Sequence, residues 1–213
     1  MPAARELLLD AAYTALGIRP WHGVRMVDVA AAAGVSRQTL YNEFGSKDGL
    51  ARALVRREAE SFLAGVERSL ADAVEREDAD AGDCCAAAAV WTLRTARANP
   101  LVRAALTGCR GERLPAQAAP AVPAPRTPPP PMTARSAPTP AALVERITGS
   151  AAGAAGEATA RTGRPPDPDA LRRACEAAVR MTLSYVVAPA GSDTEAAEEV
   201  AGVVRTLLGG GRE

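Results

Sequence analysis

Five polar residues of types that bind nucleic-acid bases and phosphates lie together in one short segment of the chain. The segment SRQTLYNEF, residues 36–44, contains Arg37, Gln38, Thr39, Tyr41 and Asn42. Arginine can bond guanine through two donors, and glutamine or asparagine can bond adenine in the same way. A threonine methyl group can contact thymine, and a tyrosine hydroxyl can reach a phosphate. The alternative interpretation is that these side chains form the solvated face of an amphipathic helix. The residues around the segment distinguish between the two interpretations.

Small and apolar residues around this segment meet the steric requirements of two short helices joined by a tight turn. Ala30 is small where the helices would cross, Gly34 tolerates the positive φ of the turn, and Leu40 would anchor the second helix. The remaining inward positions fall to Val29, Val35 and Phe44. This spacing predicts a helix-turn-helix unit, with the five polar side chains on the outer face of its second helix.

Residues at both ends of the second helix extend the predicted interface. Ser36 is placed as its N-cap, and the unpaired amides there would attract a phosphate. Lys47 begins the next helix and would add a positive charge near the nucleic-acid backbone. Residues 1–57 hold eight Lys or Arg and five Asp or Glu, although the formal net charge of the whole chain is zero. A basic N-terminal part is compatible with nucleic-acid binding but does not establish it.

Helical periodicity extends over most of the 213 residues, and no alternating run of β-branched residues predicts a strand. We predict helices over about residues 3–16, 26–33, 36–44, 47–74, 81–99 and 101–108, and again from about 141, followed by a glycine-interrupted stretch to Gly163. Asp167 and Pro168 predict the start of another helix, and Ser192 with Glu195 predicts a capping box for the last one. The predicted fold class is all-α.

A proline-rich segment separates the predicted helices of the middle of the chain. Residues 114–140 contain ten of the 17 prolines, including four in succession at 128–131. Such a segment cannot form a regular helix, so we expect an extended or disordered insertion. Recognition of its prolines by a partner protein is the alternative interpretation.

Several functional classes receive no support from the residues. One histidine, no CxxC pair and no glycine-rich phosphate loop predict no metal site, no cofactor and no catalytic residues. The four cysteines are Cys84, Cys85, Cys109 and Cys175. We interpret them as small buried residues in a reducing compartment, with a redox-sensing thiol as the alternative. The longest apolar run has eight residues, too short to span a bilayer, so a soluble cytoplasmic protein is expected.

The stretch VDVAAAAGVSRQTLYNEFGSKDGLARAL, residues 27–54, resembles the DNA-binding signature of TetR-type transcriptional regulators. The shared features are the Gly-Val-Ser turn, the Thr-Leu-Tyr run, the aromatic Phe44 and the Ser-Lys-Asp opening of the next helix. The resemblance covers about residues 7–54, and the remainder agrees with the family in architecture alone. It implies a three-helix DNA-binding domain over residues 1–46 and a helical regulatory and dimerisation domain over residues 47–213.

The resemblance also implies three partners, which are a double-stranded DNA operator, a second copy of the chain and a small-molecule effector. The five polar residues match the family's recognition helix, and Lys47 matches a lysine that contacts phosphate. The last two helices would pair with those of a partner, and the residues proposed for this interface are Met181, Tyr185, Val200, Val204 and Leu207. The candidates for contact with an apolar effector are Phe62, Trp91 and Arg94.

Two features depart from the family pattern. Arg25 stands where a Ser or Thr often caps the second helix; it cannot cap as a hydroxyl does, but it could contact phosphate directly. The proline-rich insertion changes the expected border of the effector pocket. The predicted function is a ligand-responsive repressor, in which the effector tilts the fourth helix and changes the separation of the two recognition helices. The alternative is a helical protein-interaction module without DNA binding.

Overall fold

The computed structural model describes residues 2–109, 114–115, 137–161 and 166–209. These ranges contain nine α-helices, one 3-10 helix and no strand, which confirms the predicted all-α fold. The helices are α1 (Pro2–Ile18), α2 (Met26–Ala32), α3 (Arg37–Phe44), α4 (Lys47–Val74), α5 (Ala81–Ala98), α6 (Pro100–Thr107), α7 (Pro140–Arg161), α8 (Pro168–Val187) and α9 (Asp193–Gly209), with the 3-10 helix at Trp21–Gly23. No described helix is both long enough and apolar enough to cross a membrane.

The described residues fall into two compact units, whose boundary lies inside α4. The described residues within Met1–Glu58 and Cys109–Pro138 belong to the first unit, and the described residues within Ala59–Gly108 and Thr139–Glu213 belong to the second. The domain boundary predicted after residue 46 lies at the start of α4 and stays a prediction. Most of the predicted proline-rich insertion lies outside the described residues.

The first unit is built by α1, α2, α3 and the first turns of α4. Leu8, Leu9 and Ala12 recur at helical spacing on α1, and all three are buried. They belong to an apolar core together with Val24, Val29, Leu40, Leu50 and Leu54. Because α3 is only eight residues long, it depends on this packing rather than on its own hydrogen bonds for stability.

The second unit is a helical body in which α5 packs against α7, α8 and α9. Its core is made largely of small residues, including Ala88, Ala89, Ala155 and Ala178, which allow the helices to approach closely. Asp167 caps α8 as predicted, because its carboxylate accepts the N–H of Ala170 at 2.8 Å. The Asp167 cap sets where α8 begins, and the alanine-rich contacts bring α5 and α8 close together, where both border an apolar cavity of this unit.

One predicted break is wrong. The sequence predicts a glycine-interrupted stretch up to Gly163, yet α7 runs without a break through Gly149, Gly153 and Gly156. Each helical glycine costs about 1 kcal/mol relative to alanine. The buried stripe of α7 compensates for this cost, and its members are Leu143, Ile147, Ala151, Ala155 and Ala158.

Candidate nucleic-acid interface

The turn between α2 and α3 has the geometry that the sequence predicts. Gly34 has a φ of 67°, in the left-handed region that favours glycine. Its N–H donates to the carbonyl of Ala31 (3.1 Å), and the N–H of Val35 donates to the carbonyl of Ala30 (3.0 Å). This pair of bonds closes α2 as a Schellman motif. Ala30 and Leu40 are buried, so the helix-turn-helix unit is confirmed.

Ser36 caps α3, and its hydroxyl is fully engaged in doing so. The Ser36 Oγ accepts the N–H of Thr39 at 3.0 Å and lies 2.9 Å from the Thr39 Oγ1. Thr39 itself is half-buried. Both residues were predicted to contact DNA, and the structure places them at the cap, where their side chains orient the first turn of α3. The backbone N–H groups of that turn lie at the N-terminus of α3, where an anion can bind.

The outer face of α3 carries four exposed polar side chains on two successive turns, which are Arg37, Gln38, Tyr41 and Asn42. The residues of each pair, 37 with 41 and 38 with 42, are four positions apart and therefore lie one above the other. Gln38 Nε2 donates a hydrogen bond to Asn42 Oδ1 at 2.9 Å. The structure thus brings together four of the five residues predicted for this face, and it links two of them.

Lys47 and Arg25, the other two residues predicted to contact DNA, lie outside α3, at the start of α4 and just before α2. The Lys47 ammonium donates to the carbonyl oxygen of His22 at 3.0 Å and lies 5.6 Å from the centroid of the Trp21 ring. Burial lowers the pKa of Lys47, and the Asp48 carboxylate opposes that change. Lys47 therefore fastens the loop before α2 to the start of α4. Arg25 is exposed at the N-cap of α2 and makes no side-chain capping bond, as expected for a guanidinium there.

Two further residues that position α3 escaped the sequence reasoning. A side chain at Gly49 would place its Cβ 1.8 Å from the carbonyl oxygen of Phe44, so glycine is required where α4 passes the end of α3. The Arg5 guanidinium lies 4.8 Å from the centroid of the Phe44 ring and forms an ion pair with Glu43 at 3.6 Å. The glycine in the first turn of α4 is a sequence signal that could have indicated the contact at Gly49. No sequence feature near Arg5 indicates its contacts with Phe44 and Glu43.

The candidate effector residues do not share one site in the second unit. Phe62 is buried in the core, and its carbonyl oxygen accepts the Nε1–H of Trp91 at 3.1 Å. The half-buried Trp91 ring packs against Gly65, where a Cβ would lie 2.0 Å from a ring carbon. Trp91 and the exposed Arg94 line an open surface cleft of about 330 Å³. Four charged residues, Asp72, Arg76, Asp83 and Glu198, also line this cleft.

An apolar cavity lies elsewhere in the same unit, between α5, α7 and α8. It is lined by Cys85, Ala88, Ala89, Thr92, Ile147, Ala151, Ala178, Val179, Thr182 and Leu183. Its volume is about 10 Å³, which is space for roughly one water molecule. The Thr92 and Thr182 hydroxyls donate to carbonyls one turn back on their own helices, at 2.7 and 2.8 Å, so neither is an orphaned polar group. None of the three candidate effector residues lines this cavity.

The five candidate interface residues are divided between the core and the surface. Val200 and Val204 are wholly buried in the core of their own unit, which removes them from any surface that a partner could contact. Leu207 is 51% exposed, and Met181 and Tyr185 are half-buried on α8. The Tyr185 hydroxyl donates to the Glu199 carboxylate of α9. The interface prediction therefore depends on Met181, Tyr185 and Leu207, and it remains a prediction.

Comparison with known proteins gives matches in both units. Residues 8–54 match the model of a family described as bacterial regulatory proteins, tetR family, and residues 141–206 match that of the tetracyclin repressor C-terminal domain. The HTH-type transcriptional regulator AlkX of Mycobacterium tuberculosis (strain ATCC 25618 / H37Rv) is 47% identical over 66 residues, which are 31% of each chain. The chain thus matches about a third of the length of that relative.

Solved structures agree with the fold over nearly the whole chain. The TetR family repressor AlkX from Dietzia sp. strain DQ12-45-1b has a TM-score of 0.52 at 22% identity, covering 97% of this chain and 98% of that one. FadR from Bacillus subtilis has a TM-score of 0.52 at 14% identity, covering 97% and 99%. The matching proteins are regulators and not enzymes. The helix-turn-helix, the all-helical body and the two family matches show that the chain belongs to the TetR family of bacterial transcriptional regulators.

Proposed function

We propose that the chain is a homodimeric repressor that binds a palindromic operator through α3 and is released by a small apolar effector. One observation carries the proposal. Four side chains able to bond bases or phosphates stand exposed on one face of α3, while its opposite face is anchored by the buried Leu40 and the Schellman turn. A helix presented in this way can enter a major groove with its polar face in a defined orientation.

Charge around α3 supports binding to a phosphate backbone. Arg25 and Arg37 are exposed, the first turn of α3 presents backbone amides, and residues 1–57 carry three more basic than acidic side chains. In a two-fold symmetric dimer the two α3 helices would contact half-sites about 34–36 Å apart, one turn of the duplex. The operator is therefore expected to be roughly palindromic. Binding by both heads together multiplies the affinity of either one alone.

The effector is proposed to enter the apolar cavity between α5, α7 and α8 rather than the polar cleft beside Trp91. The cavity lining is almost wholly apolar, but its volume of about 10 Å³ requires the surrounding helices to move apart first. The structurally similar FadR was solved in complex with stearoyl-CoA, and the AlkX repressor of Dietzia is implicated in biodegradation of n-alkanes. By linkage, operator DNA must weaken effector affinity by the same factor as the effector weakens DNA affinity.

Dimer formation is assigned to the exposed apolar residues of α8 and α9. Val203 and Leu207 are 36% and 51% exposed, and they follow one another by one turn on α9. Val187, at the end of α8, is 63% exposed. Large apolar side chains that stay exposed on neighbouring helices are a usual mark of a contact surface.

The test is DNA binding by the purified full chain, measured by mobility shift and fluorescence anisotropy with the DNA that flanks its own gene. We expect a sequence-specific complex whose affinity falls steeply between 50 and 200 mM salt, in line with several phosphate contacts. Arg37→Ala should weaken it, whereas Arg68→Ala, which removes the same charge from an exposed position on α4, should not. If the chain binds none of the flanking DNA at any salt concentration, the alternative of a protein-interaction module is supported instead.

Lys47→Ala separates a phosphate contact from a structural role. Loss of a phosphate contact weakens binding to all sequences and reduces the salt slope by about one. Loss of the bond to His22 alone lowers the melting temperature and leaves the salt slope unchanged. We expect both effects, because the ammonium that holds the loop also carries the charge.

A further inference from the structure

Two buried thiols from different helices touch each other in the second unit. Cys85 lies on α5 and Cys175 on α8, 90 positions apart in the chain, and their Sγ atoms are 3.8 Å apart. Cys175 is wholly buried and Cys85 is 3% exposed. The Cys85 S–H donates a weak hydrogen bond to the Cys175 sulfur. Neither thiol has a part in the proposed DNA contacts.

Formation of a disulfide requires the two sulfurs to move from their present contact to bonding distance. A disulfide bond is about 2.05 Å long, so the Sγ atoms must close by roughly 1.8 Å. Ala88, Ala89 and Ala178 line the same cavity as Cys85, and their small side chains offer little resistance to a change in the cysteine rotamers. The cavity itself leaves about 10 Å³ beside Cys85 for that movement.

We propose that Cys85 and Cys175 are a redox modification site, at which a hydroperoxide converts the two thiols into a reversible disulfide that joins α5 to α8. The site goes beyond DNA binding and does not depend on it. A small uncharged oxidant such as hydrogen peroxide suits a buried pair, whereas glutathione disulfide is too large to reach either sulfur.

The reaction balances with one hydrogen peroxide. The Cys175 sulfur attacks one peroxide oxygen and the O–O bond breaks, so that Cys175 becomes a sulfenic acid and the first water leaves. The Cys85 sulfur then attacks the Cys175 sulfur, the S–O bond breaks, and the second water carries away the Cys85 proton. Two thiols and one peroxide give one disulfide and two waters; the sulfurs lose two electrons and the peroxide gains them.

The hydrogen bond between the thiols favours Cys175 as the attacking sulfur. Donation by the Cys85 S–H lowers the pKa of Cys175, against the opposing effect of burial, and it raises that of Cys85. Burial and the nearby Asp83 carboxylate raise the pKa of Cys84 to about 11, which keeps this neighbour protonated. Among the described residues, no cluster of three or more Cys, His, Asp or Glu side chains forms a metal site that would compete for the pair.

The test uses the full chain with Cys109→Ser, which removes the exposed cysteine and with it disulfides between molecules. Reduced protein is treated with stoichiometric hydrogen peroxide, denatured, alkylated and mapped by mass spectrometry. We expect a loss of two alkylatable thiols, a peptide pair joined through Cys85 and Cys175, and recovery of both thiols with dithiothreitol. Cys84→Ala should behave in the same way, whereas Cys175→Ala should form no intramolecular bridge.

A second readout requires no variant of the pair. The bridge closes a loop of about 90 residues, so the oxidised chain should melt on the order of 5–10 °C above the reduced one. Three intact thiols after peroxide treatment would overturn the proposal, as would a bridge through Cys84 or an end product that dithiothreitol cannot reduce. Loss of DNA binding in both redox states would instead contradict the proposed function and leave the thiol pair standing.

Discussion

At the scale of single residues, Gln38 and Asn42 restrain each other on the outer face of α3. Their side chains are joined by a 2.9 Å hydrogen bond, and both are exposed. An amide that is already held by its neighbour loses less rotational freedom when it binds a base edge. We therefore expect the pair to bind bases as one preorganised unit, which spacing alone does not reveal.

A double-mutant cycle tests this coupling. Gln38→Ala and Asn42→Ala should each cost about 1–3 kcal/mol of specific binding if each amide contacts a base as proposed. The double variant should cost less than the two together, since either truncation already frees the remaining amide. Fluorescence anisotropy on the operator at one fixed salt concentration measures all four corners. Strictly additive costs would mean that the two amides act independently.

At the scale of elements, Gly17 and Gly34 both lie near the end of a helix of the first unit, but they have different structural roles. Gly34 ends α2 with a φ of 67°, which an alanine adopts only with strain. Gly17 lies in the last turn of α1 and does not have a positive φ, and a Cβ added to it would have no contact within 4 Å. The angle between α2 and α3 depends on the first glycine and not on the second.

Alanine at these two positions should therefore have opposite effects. Gly34→Ala is expected to lower the free energy of unfolding by about 1–2 kcal/mol, because the side chain clashes with its own backbone in the left-handed region. Gly17→Ala should raise it by about 0.5–1 kcal/mol through its better helix propensity. Urea denaturation followed by circular dichroism measures both. A destabilised Gly17→Ala together with an unaffected Gly34→Ala would contradict the assigned turn.

Also at the scale of elements, an ion-pair cluster joins the start of α5 to α9. Arg205 Nε donates to Asp80 at 2.7 Å, and its Nη2 donates to both Asp80 and Asp83, at 3.1 and 2.7 Å. Burial acts to raise the pKa of Asp80, but the bonds from Arg205 and from the Asp83 N–H outweigh it and lower that pKa. A lowered pKa in the folded state means stability that is present above the ordinary value near 4 and lost as the pH falls through the folded value.

Arg205→Gln should reduce stability at pH 7 and have much less effect once Asp80 is protonated. The expected loss at pH 7 is about 0.5–1 kcal/mol, because both side chains are more than a third exposed and solvent screens them. Arg180→Gln is the matched control, since it removes an ion pair with Glu176 that lies within α8 alone. Urea denaturation over a pH series that runs from 7 to well below the ordinary carboxyl pKa compares the two. A loss that does not change with pH would exclude the Asp80 contribution.

At the scale of the whole molecule, the proposed dimer depends on the apolar side chains that α8 and α9 leave exposed. Leu207 should lose its solvent contact in a dimer, whereas Val200 and Val204 are occupied by the core of their own unit. Operator binding by two heads requires this association, so loss of the dimer should also weaken DNA binding.

Leu207→Glu should give monomers, because it places a charge at the proposed contact. Light scattering at micromolar concentration measures the mass. Thr206→Glu, at the adjacent exposed position of α9, is the control and should keep the dimer. An unchanged dimer in Leu207→Glu, or an equal effect of both variants, would move the interface to another surface.

Local chemistry made much of the fold predictable. The helix starts at Ser36 and Asp167, the turn at Gly34 and the inward positions of Val29, Ala30 and Leu40 follow from capping, backbone freedom and helical periodicity. The outer face of α3 follows in turn, because burial of one side of so short a helix leaves the other side to solvent. Each of these features depends on residues a few positions apart, and the sequence by itself determines them.

Contacts between distant segments were decided by the tertiary structure alone. Four features depend on how segments far apart in the chain pack. They are the continuity of α7 across its glycines, the burial of Val200 and Val204, the bond from Lys47 to His22 and the contact of Cys85 with Cys175. Periodicity shows that a helix face is apolar, but it does not show which surface will cover that face. For the same reason, the sequence shows four cysteines but not which of them are in contact. The packing of α5 on α8 brings Cys85 and Cys175 together.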